Sequence, residues 1–195
     1  MGTMVGGQAN ALGLRIGVAP GSRFYAVRIF GPQPAYYSVI LWGAQWIMDP
    51  DSNPATDDAA DIVNNSWGTA TPGSCNEWFR QMVSNWRAAG ILPVFSAGNA
   101  GPNYGTVSDP GNYPESLAVG STDREDQVAA TSSRGPVEYD GRLYIQPGMA
   151  APGVGIISAR AADTDMYAGS EGYVPGSNIV GTDLYLASGT SMAAP

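Results

Sequence analysis

The chain has 195 residues, 44% of them hydrophobic, with a formal net charge of -8, one cysteine and no histidine. This length and apolar content suit one domain with a buried core, and the acidity excludes a basic stripe for nucleic acid. The single Cys75 excludes an internal disulfide and a four-thiolate zinc site, while the missing histidine excludes any complete hydrolytic centre built on a histidine base.

The first twenty residues, MGTMVGGQANALGLRIGVAP, lack a basic leader and are broken by glycines, so they do not read as a signal peptide. No stretch approaches the length of a membrane span. Residues 23–30 (RFYAVRIF) predict a strand, rich in β-branched and aromatic side chains and closed by Gly31 and Pro32. Residues 36–48 predict a helix, with Tyr36, Ile40, Ala44 and Ile47 at helical spacing. Residues 61–65 (DIVNN) predict a short strand that runs into Ser66-Trp67-Gly68. Between them, Asp49-Pro50-Asp51-Ser52-Asn53 begins like a calcium loop, but Pro54 and Ala60 stand where such a loop needs glycine and glutamate. It reads as a solvated acidic loop, and no metal site is inferred.

Ser74-Cys75-Asn76-Glu77 has the form of a capping box and predicts a helix start. Trp78, Met82, Trp86 and Ala89 mark one apolar face of that helix, with both tryptophans expected in the core, and Gly90 stands at its C-terminal cap. Cys75, inside the capping segment, is read as incidental rather than as a nucleophile. Residues 91–95 (ILPVF) form a continuous apolar run, as in a strand buried on both faces. Residues 116–120 and 155–158 predict two further strands, and residues 122–152 and 161–183 read as surface excursions. Strands alternating with helices imply an α/β fold: a mainly parallel sheet with right-handed crossovers and helices on both faces. Function in such sheets gathers at the carboxyl ends of the strands.

Two motifs carry chemistry. Gly189-Thr190-Ser191-Met192-Ala193-Ala194-Pro195 presents a serine among small residues, as a nucleophile at a tight turn opening a helix requires. Phe95-Ser96-Ala97-Gly98-Asn99-Ala100-Gly101-Pro102 ends the apolar run with an asparagine whose amide can donate to an oxyanion. Alone, such a serine is more often an ordinary cap or loop residue, and such an asparagine an ordinary turn residue. Their joint presence tips the reading toward catalysis.

Together these segments resemble the subtilisin-like serine proteases (subtilases, peptidase S8 type) over essentially the whole chain. The resemblance also rests on Ile16-Gly17-Val18-Ala19-Pro20, Val63-Asn64-Asn65-Ser66-Trp67-Gly68, Ser132-Ser133-Arg134-Gly135-Pro136 and Ala151-Pro152-Gly153, in family order. Trp86-Arg87-Ala88-Ala89-Gly90 and Pro110-Gly111-Asn112-Tyr113-Pro114-Glu115 look most like the bacillopeptidase F-like branch. The resemblance implies a serine endopeptidase, secreted and monomeric, acting on polypeptides through an acyl-enzyme and needing no cofactor for its chemistry. It implies Ser191 as nucleophile and Asn99 as oxyanion donor, with Ser66, Trp67, Gly68, Ala97, Gly98 and Ser108 binding substrate. It also implies a cis bond at Asp109-Pro110. The small, uncharged Ser108 and Ala100 imply a deep apolar pocket, with Trp67 adding aromatic area to one wall. The rival expectation is that Asp109 reaches that pocket and selects basic residues. A structural calcium ion is left open, with no ligand set assigned.

The departures from the family pattern are equally specific. Its aspartate and His-Gly-Thr-His segment lie upstream, and Met1-Gly2-Thr3-Met4 reads as the stretch just after that histidine. The expectation is a partial catalytic domain, truncated at both ends, with histidines supplied before Met1 and after Pro195, and inactive by itself. Gln146-Pro147-Gly148 replaces the family's usual Lys-Pro-Asp. The alternatives are a catalytically dead subtilase-like protein that binds peptides, or an unrelated α/β small-molecule domain.

Overall fold

The apolar run at 91–95 becomes a central strand of a four-stranded parallel sheet in the computed structural model, which describes residues 17–31, 35–160, 176–180 and 184–195. In chain order the described elements are α1 (Tyr37–Trp46), β1 (Ile62–Asn65), α2 (Arg80–Ala88), β2 (Leu92–Ser96) and β3 (Leu117–Thr122). These are followed by β4 (Val137–Tyr139), β5 (Arg142–Tyr144), β6 (Met149–Pro152), β7 (Ile156–Ala159), β8 (Ile179–Val180), β9 (Leu184–Ala187) and a final short helix α3 (Thr190–Ala193). The parallel sheet has the order β1-β2-β3-β6.

Side chains alternate across a strand, and β2 shows what that alternation achieves. Phe95 joins Ile40 and Ala44 of α1 with Met82, Val83 and Trp86 of α2 in one cluster. Its neighbour Val94 packs with Val119 of β3 and Ala193 and Ala194 at the far end of the chain. Helices therefore cover both faces, as the sequence predicts. Full burial of a side chain such as Phe95 contributes about 1.5–3 kcal/mol. Trp86 also donates its indole N–H to the Ala44 carbonyl at 3.0 Å, which ties α2 to α1.

The C-terminus of α2 ends as its glycine requires. Gly90 adopts φ +83°, its N–H donates to the Arg87 carbonyl, and the Ile91 N–H donates to the Trp86 carbonyl. That pair of bonds is a Schellman motif, and it turns the chain directly into β2. The N-terminus departs from expectation. The helix begins at Arg80 after Phe79, without a side-chain cap, so Ser74-Cys75-Asn76-Glu77 is not its capping box. Ser74 instead donates to Asp109, and Glu77 accepts from the Tyr139 hydroxyl at 2.7 Å. Trp78 is correspondingly exposed, against a core expectation, and packs edge-on to Tyr37.

Three further readings are corrected. Residues 23–30 run without strand pairing among the described residues, although Val27 and Ile29 pack against the core beside Gly43. Composition marks a half-buried extended segment but not whether a ladder partner lies beside it. Residues 122–152 are not all excursion, because β6 extends the parallel sheet alongside β3. The strand expected at 155–158 is present as β7, but it pairs antiparallel with β9 in a separate three-stranded sheet. Residues 161–175 and 181–183 lie outside the described residues.

Candidate active site

The carboxyl ends of β1 and β2 and the start of α3 converge. Ser66 follows β1, and its hydroxyl donates to the Ser191 carbonyl at 3.0 Å. In return the Ser191 Oγ donates to the Ser66 carbonyl at 3.3 Å. Asn99 follows β2 and meets the same turn. Its Oδ1 accepts from the Thr190 backbone N–H at 2.9 Å and from the Thr190 hydroxyl at 3.1 Å. The Thr190 Oγ1 in turn accepts from the Gly98 N–H at 3.1 Å, and Thr190 is fully buried. With Oδ1 engaged twice, the Asn99 amide nitrogen is the donor left over, without an acceptor among the described residues. The Ser191 backbone N–H is likewise unpartnered there.

Glycine makes this approach fit. Gly189 adopts φ +149°, and a Cβ on it would lie 3.2 Å from the Asn99 amide nitrogen. Beneath the turn, Gly153 accepts from the Gly189 N–H at 2.8 Å. A Cβ at Gly153 would stand 2.5 Å from the Ser121 Oγ and 2.7 Å from the Gly189 carbonyl. The Ser132-Ser133 motif supports the asparagine loop from behind. Ser133 donates its N–H to the Gly98 carbonyl and accepts from the Ala100 N–H at 3.1 Å. Sequence reasoning quoted these segments for resemblance but missed Thr190, Ser133 and Gly153 as supports. Their signal was only smallness and a hydroxyl.

The substrate-binding candidates divide. Ser66 and Gly98 join the serine turn directly, and Ala97 is buried just before Gly98. Trp67 turns its ring inward, edge-on to Phe79 at 5.2 Å and Phe95 at 5.7 Å, with its indole N–H on Asn65 Oδ1. Its ring therefore adds area to the core rather than to a cleft. Gly68 abuts the Asp109 carbonyl, and Ser108 donates to the Thr71 carbonyl at 2.8 Å. Asp109 is fully buried and accepts from Thr69, Ser74 and Asn76, so its carboxylate is withdrawn from any role as a pocket charge. The Asp109-Pro110 bond is cis, as expected.

Two other groups lie apart from this site. The Cys75 thiol is pushed up by local desolvation and by the charges of Asp109 and Glu77, which is the reverse of what an activated thiolate needs. Asp49, Asp51 and Asp58 bring carboxylate oxygens within 4.8 Å of one another. These oxygens accept from the N–H groups of Asp51 and Asn53 and the Thr56 hydroxyl, and so organise their own loop.

The fold and the site define a class: α/β proteins that present a serine at the start of a helix beside an asparagine amide, at the carboxyl edge of a parallel sheet. The chain belongs to the subtilase family, whose profile matches residues 1–195. It is 42% identical over 172 residues to bacillopeptidase F of Bacillus subtilis (strain 168), covering 84% of this chain and 11% of that protein. It is 31% identical over 207 residues to the serine protease AprX of the same organism, covering 100% of this chain and 44% of that one. With subtilisin Savinase of Lederbergia lenta it shares 32% over 167 residues, 84% of this chain and 54% of that protein. The chain thus spans about half or less of these relatives' lengths. Two solved structures share the fold. The prenylagaramide maturation protease PagA matches with TM-score 0.67 and 22% identity, over 98% of this chain and 57% of that one. A mutant of the protease domain of PatA matches with TM-score 0.70 and 25% identity, over 99% and 58%. No helix among the described residues is long and apolar enough to cross a membrane.

Proposed function

We propose that this chain is part of the catalytic domain of a serine endopeptidase, with Ser191 as nucleophile and Asn99 in the oxyanion hole. The observation that carries the reading is the pair of hydrogen bonds that Asn99 Oδ1 accepts from Thr190, across 91 residues of sequence. It sets an amide donor beside a serine whose own N–H is unpartnered among the described residues, and such donors stabilise a developing oxyanion. The Ser191 Oγ attacks the scissile carbonyl as a base removes its proton. The amine leaves with a proton, and water then hydrolyses the acyl ester to regenerate the serine.

The base must come from outside these residues, because the chain has no histidine. The domain therefore extends beyond this chain in a longer protein, and the chain alone does not turn over peptides. Substrates are polypeptides. The pocket for the residue before the cut is built from Ser66, the main chain at Trp67, Gly68, Ala97, Gly98 and Ser108, and it prefers large apolar side chains now that Asp109 is sequestered. The chemistry needs no cofactor, and we place the enzyme outside the cell as a monomer, in line with the resemblance. The same absence of histidine favours a second reading, a catalytically dead peptide-binding relative, and one experiment separates them. The longer protein hydrolyses casein, its Ser191→Ala variant does not, and neither does the 195-residue chain. Hydrolysis surviving in Ser191→Ala, or none in the longer protein, overturns the proposal.

A further inference from the structure

Asp109 is a fully buried carboxylate for which the chemistry above has no use. Burying a charge-bearing group is costly unless its hydrogen bonds are replaced in full. Here every contact uses it as an acceptor. Oδ1 takes the Thr69 hydroxyl at 3.2 Å, the Ser74 hydroxyl, and the Asn76 N–H at 3.4 Å, while Oδ2 takes the Asn76 side-chain amide at 2.8 Å. All these donors are neutral, and no cation pairs with it among the described residues. A packing role would be filled as well by an apolar side chain, so a carboxylate with four neutral donors serves to fix geometry.

The geometry it fixes joins two segments. One runs from Ser66-Trp67-Gly68 to Asn76, and the other from Ser108 to Tyr113. The Asp109 backbone ties them too. Its carbonyl accepts from the Thr69 N–H at 3.0 Å and its N–H donates to the Ser74 carbonyl at 3.2 Å. Neighbours add further ties. The Ser108 Oγ donates to the Thr71 carbonyl at 2.8 Å, the Asn112 amide to the Ser74 carbonyl at 2.6 Å, and the Tyr113 hydroxyl to the Asn76 carbonyl. Gly68 sits so close that a Cβ would lie 3.2 Å from the Asp109 carbonyl.

We propose that Asp109 is a positioning residue for substrate selection, a clamp that sets the distance between the Ser66–Gly68 side and the Ser108 side of the pocket. This rests on the substrate-binding reading above. Because the carboxylate's hydrogen bonds go to Thr69, Ser74 and Asn76 and not to the Ser191 turn, loosening the clamp alters how a large side chain is held and not how the carbonyl is attacked. Its loss therefore appears in KM for substrates that fill the pocket, and substrates with glycine before the cut feel it little.

The test uses the longer protein, with two peptide substrates that differ only in phenylalanine or glycine before the cut. In either orientation of its amide, Asp109→Asn sets an N–H against one of the two Asn76 donors and loses that contact. The Phe-over-Gly preference in kcat/KM then falls about tenfold, with the loss in KM. Adding Asn76→Asp to Asp109→Asn restores one donor and one acceptor to the pair, and the preference recovers to within about threefold. A general loss of folding would lower both substrates equally and would not be rescued. An unchanged preference, an equal loss on both substrates, or no recovery in the double variant overturns the proposal. Amide hydrogen exchange at Thr69 and Asp109 separates this from failure of the protease reading. Exchange there accelerates in Asp109→Asn and slows again in the double variant whatever the activity, and unchanged exchange also overturns the clamp.

Discussion

Replacing Thr190 by valine removes one hydroxyl from the centre of the candidate site while keeping its shape. In the structure that hydroxyl accepts from the Gly98 N–H and donates to Asn99 Oδ1, inside a fully buried side chain. Leaving the Gly98 N–H unpaired costs about 1–3 kcal/mol. For a protein of this size that lowers Tm by about 2–4 °C per kcal/mol. Asn99 keeps its bond from the Thr190 N–H at 2.9 Å but loses the second restraint. One hydrogen bond's worth of orientation, about 1–1.5 kcal/mol, corresponds to about five- to tenfold in kcat. Thr190→Ser retains the hydroxyl and is expected within about twofold of the parent. Circular-dichroism melts and peptide hydrolysis by the longer protein measure both effects. A Thr190→Val variant that keeps its Tm and kcat, or loses only in KM, refutes the claim that Thr190 holds the asparagine.

Asn99→Ala should lower kcat by about 3 kcal/mol equivalent with KM little changed, a scale known from subtilisin itself and inherited here; a loss wholly in KM would remove Asn99 from the oxyanion role. Gly153→Ala should destabilise by about 1–3 kcal/mol through overpacking against Ser121 and the Gly189 carbonyl. Ser121→Ala should be neutral or slightly stabilising because the buried Ser121 hydroxyl has no partner among the described residues, and denaturant melts check both substitutions. The Tyr113 hydroxyl is pushed up by burial and by Asp109. A raised folded pKa means that its contribution to stability is intact below the ordinary tyrosine range near ~10 and is lost as pH rises above it. Urea midpoints that rise between about pH 9 and 11 would contradict this.

Much of this was legible because it is local. The run at 91–95 gave β2, helical spacing gave α1, and Gly90 gave the end of α2. What was missed depends on partners far away in the chain. Ser74 looked like a cap until Asp109, 35 residues on, claimed its hydroxyl. Residues 23–30 have strand composition, but a ladder needs a neighbour that no local pattern encodes. β6 was hidden because Met149-Ala150-Ala151-Pro152 has little β-branched character and is held in place by its pairing with β3. At the site, Ser191 and Asn99 stood out by motif, whereas Thr190 and Ser133 are small hydroxyl residues whose importance lies wholly in what they touch. The inward turn of Trp67 likewise follows from Phe79 and Phe95.

The central claim is that Ser191 is a nucleophile prepared by its setting. Labelling the longer protein with a peptidyl phosphonate, followed by mass-spectrometric peptide mapping, tests it most directly. One adduct per molecule is expected, on Ser191, formed far more slowly in the Asn99→Ala variant. An adduct on another serine, or none in a protein that still cleaves peptides, would contradict it.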